Sequence, residues 1–519
     1  INKHKLDKIL LMASTMIYGS AAIIQDNKFY FSIGACIIMG AVTVYCVGDW
    51  LRFKLKKLPT IAIIAILGIL FTLFTGLLTS FKYLQHWAPC YDFGIFSQMF
   101  NYMKETLQPL TTCERDGLLS HFAVHFSPIY YLLLPFFFIF PSPVTLLMGQ
   151  AAIIASGLIP LYLICKRHKL SNAAVILFSL CYVLLPSMAN GCFFFLHENK
   201  FLTPLILWLA FALEKNKWIP SVIFTLLLLA VKEDAPVYAA VLGLYFIVSR
   251  RNISKGALVF VLSIIYFITV SYFMSKYGLG TMSYRYDNFI YDGSGSLFTV
   301  IKAVILNPIY TVHEAFDEEK IKFILQMLVP LAFMPLMIKK PSRIILLIPF
   351  ILLNLMSDYT YQHNINFQYT YGSAAFLFYL MILNYQDMKP GFRCKVLAVA
   401  ATSSIFMFMC NTYYRTSGYE SYKTDKNNGA IDIIDDALEL VPDDSSVAAT
   451  TFLVASLYDH REVYEFESTN HRDEVEYIVL DLRISSDDFS VDDYLNNPIY
   501  ETVENKPGYI AIFRNTTVE

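Results

Sequence analysis

The sequence predicts an α-helical polytopic membrane protein of about 13 transmembrane helices that ends in a soluble, acidic α/β domain. Three observations predict it. Of 519 residues, 56% are hydrophobic and only 16% charged, where an ordinary soluble chain is about 25% charged. The apolar residues come in long uncharged runs, as in Ile61–Phe81, Val144–Ile164 and Ala257–Ser275, and a run of about 18 or more reads as a bilayer-spanning helix. The charge is also divided. Residues 413–519 hold 23 acidic and 8 basic residues (net −15), and the rest holds 32 basic and 19 acidic (net +13). No polybasic tract marks a nucleic-acid partner.

The candidate spans are 9–24, 29–48, 61–81, 144–165, 172–187, 201–214, 218–231, 236–249, 257–275, 322–338, 344–357, 372–385 and 396–412. Several fall short of the roughly 20 residues that a hydrocarbon core of about 30 Å requires. The first follows Lys3, Lys5 and Lys8 without a small-residue cleavage site and reads as a retained anchor. Basic clusters at 52–57, 166–169, 250–251, 339–343 and 389–395 set the orientation through the excess of Lys and Arg in cytoplasmic loops. That rule puts the N-terminus inside and the tail outside. It puts the apolar stretch 126–140 at the outer surface or dipping in and out, with a miscounted span elsewhere as the competing explanation. Four polar loops then face outward: 82–125, 188–200, 276–321 and 358–371.

The division is a multi-span body over 1–412, a Tyr/Lys/Asn-rich linker over 413–428 and a soluble domain over 429–519. In the last, 430–440 has helical spacing. Strands are expected at 446–452, 477–482, 500–503 and 509–513, with short helices near 453–458 and 490–496.

The outer loops carry the chemistry-bearing residues. Asp92, in Cys90-Tyr-Asp-Phe-Gly-Ile-Phe-Ser-Gln98, sits where a lipid-linked substrate presents its head group and can take a proton from an acceptor hydroxyl. It can equally cap the helix that begins beside it. His121 and His125 are spaced to share a helical face. With Asp92, Glu114 or Asp116 they offer a divalent-metal set (Mg²⁺ or Mn²⁺). A phosphate or sugar contact and a purely structural place are the other readings. His197-Glu198 and Lys232-Glu233-Asp234 put charge at membrane depth, which marks sites, although charges at helix ends also snorkel to water. Lys232 and Arg285 are the cations suited to a phosphate or diphosphate leaving group. The loop from Asp358 to Tyr371, with His363, Tyr369 and Tyr371, can stack on sugars or form an interfacial aromatic belt. Cys90 and Cys113 share an oxidising loop in this topology and can close 24 residues as a disulfide.

The stretch Tyr91-Asp-Phe-Gly-Ile-Phe-Ser-Gln98 resembles the Asp-Leu-Gly-Ile-Phe-x-Gln signature of a family of uncharacterised bacterial predicted membrane proteins grouped with the GT-C glycosyltransferases. The similarity continues through His125-Phe-Ser-Pro128, His197-Glu198, Lys232-Glu-Asp234, the loop ending at Tyr371, Val441-Pro-Asp-Asp-Ser-Ser-Val447 and Tyr477-Ile-Val-Leu-Asp481. The resemblance implies a GT-C-like fold in a bacterial plasma membrane. It also implies transfer of a sugar from a polyprenyl-phosphate carrier to a cell-envelope acceptor on the outer face, with Asp92 as general base. Many GT-C enzymes follow that acid with a second, but Phe93 follows Asp92. A second acid must come from Asp116, Glu198 or Glu233, and metal dependence stays open. A transporter or flippase of a lipid-linked or polar solute is the rival reading, and a receptor or scaffold a third.

Overall fold

Long uncharged runs leave a helix no water to satisfy its backbone except its own carbonyls, and they fold accordingly. The computed structural model describes residues 3–26, 29–47, 56–280, 283–290, 297–484 and 489–518. Among these, five helices are long and apolar enough to cross a membrane: Phe29–Cys46, Lys57–Leu84, Pro143–Arg167, Ile253–Tyr277 and Pro390–Asn427. A sixth arises if Asn172–Val183 and Pro186–Phe194, bent by 47°, form one span.

The other expected spans take different forms. A helix covers 9–24 within Lys3–Asp26. The stretches 201–214, 218–231 and 236–249 fold as Leu202–Glu214, Trp218–Leu229 and Ala235–Val248. At 1.5 Å per residue the longest of these is about 21 Å, short of the core thickness. The 322–338 run stops as a helix at Leu328 and turns through Ala332 and Phe333 at positive φ. The 344–357 run is a 3₁₀ segment, Pro341–Leu347, followed by a wide turn of helix, Phe350–Leu355. The 126–140 stretch is two short pieces, Pro128–Leu132 and Leu134–Ile139, with Phe136, Ile139 and Phe140 exposed.

The loops sort to two ends. At one end Glu214 collects Arg167, His168 and Arg251 (3.2, 2.8 and 3.4 Å), and Asp387 binds Arg343 at 2.6 Å. The basic loops at 166–169, 250–251 and 339–343 therefore share one side. At the other end lie the described parts of the four polar loops and of the tail.

The tail sheet has five strands. They are β3 (Ser446–Ala449), β4 (Glu462–Glu465), β5 (Tyr477–Asp481), β6 (Tyr500–Lys506) and β7 (Ile510–Asn515), in the order β4-β3-β5-β7-β6. A two-stranded ribbon, β1 (Leu110–Thr111) and β2 (Leu119–Ser120), lies in the first polar loop. β3 runs parallel to β4 and β5, and β7 is antiparallel to β5 and β6. The helix Ala430–Leu438 turns Ile431, Ile434, Ala437 and Leu438 inward, the spacing of an amphipathic helix. Residues 413–427, expected as a linker, are helical: a 3₁₀ turn, Tyr413–Thr416, leads into the helix Ser417–Asn427.

This sheet packs on the first polar loop. Thr112 donates to the Val463 carbonyl at 2.6 Å and accepts from its amide at 3.1 Å. Arg483 donates to the carbonyls of Gln85 and His86 at 2.7 and 2.6 Å and stacks on Trp87. Asp116 accepts from the Thr469 hydroxyl and from the Asn470 amide (2.9 Å).

Candidate active site

The turn carrying Asp92 is built from both sides. Pro89 is extended, and the Cys90–Gly94 segment that follows holds Tyr91 at ψ 124° and Asp92 at φ 65°, ψ −58°. A positive φ disfavours a residue with a side chain, and such strain persists only where surroundings enforce it. The enforcing contacts come from the tail. Cys90 is buried in the same apolar cluster as Val447, Leu453 and Val454, its amide donates to the Thr451 hydroxyl at 3.2 Å, and a Cβ on Gly94 would meet Val454 at 3.0 Å. The helix Ile95–Thr106 then starts with Gly94 as its cap and no capping side chain. Asp92 is therefore not the cap that its position allowed.

The carboxylate instead lines a cavity of about 490 Å³ with Glu114, Arg115, His121, His125, His197, Arg285 and Tyr369. Those residues come from all four polar loops. The Asp92 carboxylate has no hydrogen bond or ion pair to any described residue, and only its backbone carbonyl is engaged, by the Ile95 amide. Burial, and next the nearby Glu198 carboxylate, push its pKa up to about 6.

Two glutamate–histidine pairs face it. His121 Nδ1 lies 2.8 Å from Glu114 and His125 Nδ1 lies 2.8 Å from Glu233. The His125 amide donates to the His121 carbonyl at 2.8 Å, so one turn puts both rings on the cavity, with centroids 5.9 Å apart. Burial works against an imidazolium at His121, but Glu114 outweighs it and raises that pKa. His121 Nε2 is buried with no partner in the protein, which leaves it for a ligand.

Arg285 lies against the rings of Tyr359 and Tyr369, 4.7 and 5.2 Å from their centroids. Its own carbonyl accepts from the Asp358 amide at 2.9 Å. Arg115 lines the same cavity and donates to the Glu114 carbonyl at 2.8 Å. The sequence singled out Arg285 but not Arg115. Its position between two acids in a polar loop gave no signal that it would face the site.

Behind this wall is a second cluster of different character. Glu198 is fully buried, 2.8 Å from Lys232, 3.0 Å from His197 and 2.6 Å from the Tyr130 hydroxyl. Burial alone would raise its pKa, but His197 and Lys232 hold it well below the carboxylate range. Burial likewise opposes the Lys232 charge, and Glu198 and Glu233 more than offset it. Glu198 and Lys232 thus neutralise each other. Glu233 accepts from the Phe126 amide at 3.2 Å besides pairing with His125. Asp234 sits at the start of the Ala235–Val248 helix without capping it, its pKa pushed up to about 6 by burial.

Three expected site residues lie elsewhere. Tyr371 donates to the Met188 carbonyl at 3.0 Å in the core, where its ring fills the space beside Gly191. His363 is 3.7 Å from Glu319 and does not line the cavity. Asp116 is engaged by the tail. Among the described residues no three His, Cys, Asp or Glu side chains converge to hold a metal ion. The set Asp92, Asp116, His121 and His125 is split, because Asp116 turns away and each histidine gives one nitrogen to a glutamate. Cys90 and Cys113 pack in one cluster as free thiols.

The family model for "Predicted membrane protein (DUF2079)" matches residues 85–510, which include the whole of this cavity. No curated protein matches the chain.

Proposed function

The chain belongs to the DUF2079 family of predicted membrane proteins, and on the chemistry of its cavity we propose that it is a GT-C-type glycosyltransferase. It moves a sugar from a polyprenyl-phosphate donor to a cell-envelope acceptor on the outer face of a bacterial plasma membrane. The observation that carries this reading is Asp92: a carboxylate unpaired by the protein, in a cavity that also holds Arg285 and Arg115. The orientation follows from the basic loops gathered at the opposite end.

In this reaction the acceptor hydroxyl attacks the anomeric carbon and gives its proton to Asp92. A pKa near 6 leaves Asp92 ionised at neutral pH yet basic enough to take that proton. The bond from the anomeric carbon to the phosphate oxygen breaks, and its electron pair leaves with the lipid phosphate. Arg285, set against two tyrosines, neutralises that charge, and Arg115 of the same cavity adds to it. His121 Nε2 and the aromatic lining hold the sugar. Glu233 orients His125. Glu198 and Lys232 brace the wall.

Purified protein incubated with polyprenyl-phosphate sugars and a panel of envelope acceptors tests the reading. Transfer by the wild type and its loss in Asp92→Asn is the expected result. No transfer across a broad panel, with the protein folded, would sink the proposal.

A further inference from the structure

On another face of the Phe193–Phe195 turn lies a second cavity, of about 300 Å³, near the tail-side end of the Lys57–Leu84 helix. Lys82 and Arg415 both line it. Lys82 Nζ sits 5.0 Å from the Phe195 ring centroid, and Arg415 lies 5.4 and 4.7 Å from the rings of Phe193 and Tyr414. Among the described residues neither side chain makes an ion pair or a hydrogen bond, and Arg415 Nε is buried without a partner. Two like charges in one small cavity at a membrane edge repel through a medium of low dielectric. An anion placed between them reverses the sign of that energy.

The cavity continues into an apolar groove of about 740 Å³ that shares Leu78, Tyr414 and Ser417 with it. Leu70, Leu73 and Leu77 line this groove in one helical stripe and are 57, 43 and 41% exposed. From Leu70 to Lys82 the helix rises about 18 Å, close to one leaflet of a core about 30 Å thick. Tyr413, Tyr414 and Tyr419 form the opposite wall, the residue type that marks the head-group level. One acid, Glu420, lies on the groove's rim and not in the cationic cavity. Cations without acids at the polar end and an apolar stripe one leaflet deep match a single amphiphile.

We propose that this groove binds one anionic phospholipid of the surrounding leaflet. Its phosphate sits between Lys82 and Arg415, and an acyl chain lies along Leu70, Leu73 and Leu77. The lipid bridges the Lys57–Leu84 helix to the Ser417–Asn427 helix. Within the protein those two are joined by Gln85, which accepts from Ser421 at 2.8 Å and donates to the Gly418 carbonyl at 3.4 Å. The inference is independent of the proposed glycosyl transfer.

Trp87 lines the cationic cavity and serves as the probe. The protein in detergent micelles receives dibrominated phosphatidylglycerol or dibrominated phosphatidylcholine at equal mole fraction. Quenching assigned to Trp87 is the difference between wild type and Trp87→Phe. Phosphatidylglycerol should quench Trp87 at least twice as strongly, and the excess should vanish in Lys82→Gln/Arg415→Gln. Equal quenching by the two lipids in the wild type overturns the proposal without recourse to a variant. So does an excess that survives the double substitution. Loss of the excess on adding millimolar inorganic phosphate also overturns it, because a free-anion site gains nothing from the chain.

Discussion

Asp92 and Glu198 are two acids on either side of one wall, and they are held in opposite ways. Asp92 lines the cavity at positive φ with no partner in the protein. Glu198 is fully buried at ordinary φ and ψ, with a lysine, a histidine and a tyrosine on its oxygens. The comparison teaches which acid is available for chemistry. A carboxylate held by three partners, two of them able to carry positive charge, has little basicity to offer. One kept unpaired in a strained turn has been placed at a cost that only its surroundings offset. The two acids should therefore fail differently when altered.

The largest expected effect is on rate. Asp92→Asn keeps the shape and removes the base, so transfer should fall by about 10²- to 10⁴-fold while the unfolding temperature is no lower than in the wild type. Parallel activity and thermal-unfolding measurements check both. A folded variant with undiminished transfer removes Asp92 from the chemistry. Glu198→Gln should do the reverse in kind. It leaves Lys232 buried and unpaired, which costs about 3–5 kcal/mol of stability, read in detergent by chemical or thermal unfolding. Stability equal to that of the wild type would break the contrast between the two acids.

A smaller effect sharpens the role of the tail in holding the Asp92 turn. Thr112→Val keeps the volume but removes the hydroxyl from the buried amide of Val463 and leaves its carbonyl only the weak Cys113 thiol donor, a loss of about 1–3 kcal/mol. It should appear as faster hydrogen exchange confined to β4 and the first polar loop, because the rest of the sheet is held by its own ladder. Uniformly faster exchange across the chain would deny the tail a local hold on that turn.

Much of this was legible in the sequence, and the reasons are specific. Asp92, His121, His125, His197, Arg285 and Tyr369 reach one cavity because charges and polar rings excluded from hydrocarbon must collect where the loops meet water. Four of the five tail strands were readable from runs of alternating or continuous apolar residues. β4, Glu462–Glu465, was missed because two of its four residues are glutamates at an edge. The number of spans was not legible. Leu202–Glu214 and Trp218–Leu229 are as apolar as a span but too short for one, and hydropathy reads composition without length. Nor could spacing show that Lys232 would spend its charge on Glu198, since the two are 34 positions apart and are brought together by the pairing of the Leu202–Glu214 and Trp218–Leu229 helices between them. Arg115, which the sequence passed over, lines the same cavity as Arg285.

The two acids couple stability to pH with opposite sign. The folded-state pKa of Asp92 is raised from 3.8 to about 6, so the folded state binds a proton more tightly there than the unfolded chain does. Its contribution to stability is fully present below pH 3.8 and is lost as pH rises through 6. Glu198 is depressed below 4.5, so its contribution is present above 4.5 and is lost as pH falls through the lower folded value. Each can tilt stability by at most about 1.4 kcal/mol per pH unit, in opposite directions. Comparing Asp92→Asn with the wild type isolates the first. Between pH 4 and 6 the wild type should lose stability relative to the variant as pH rises, and transfer activity should climb over the same interval as the carboxylate ionises. If the difference between wild type and variant stays flat from pH 4 to 7, Asp92 ionises as an ordinary surface acid and the cavity does not hold it in the state that the chemistry requires.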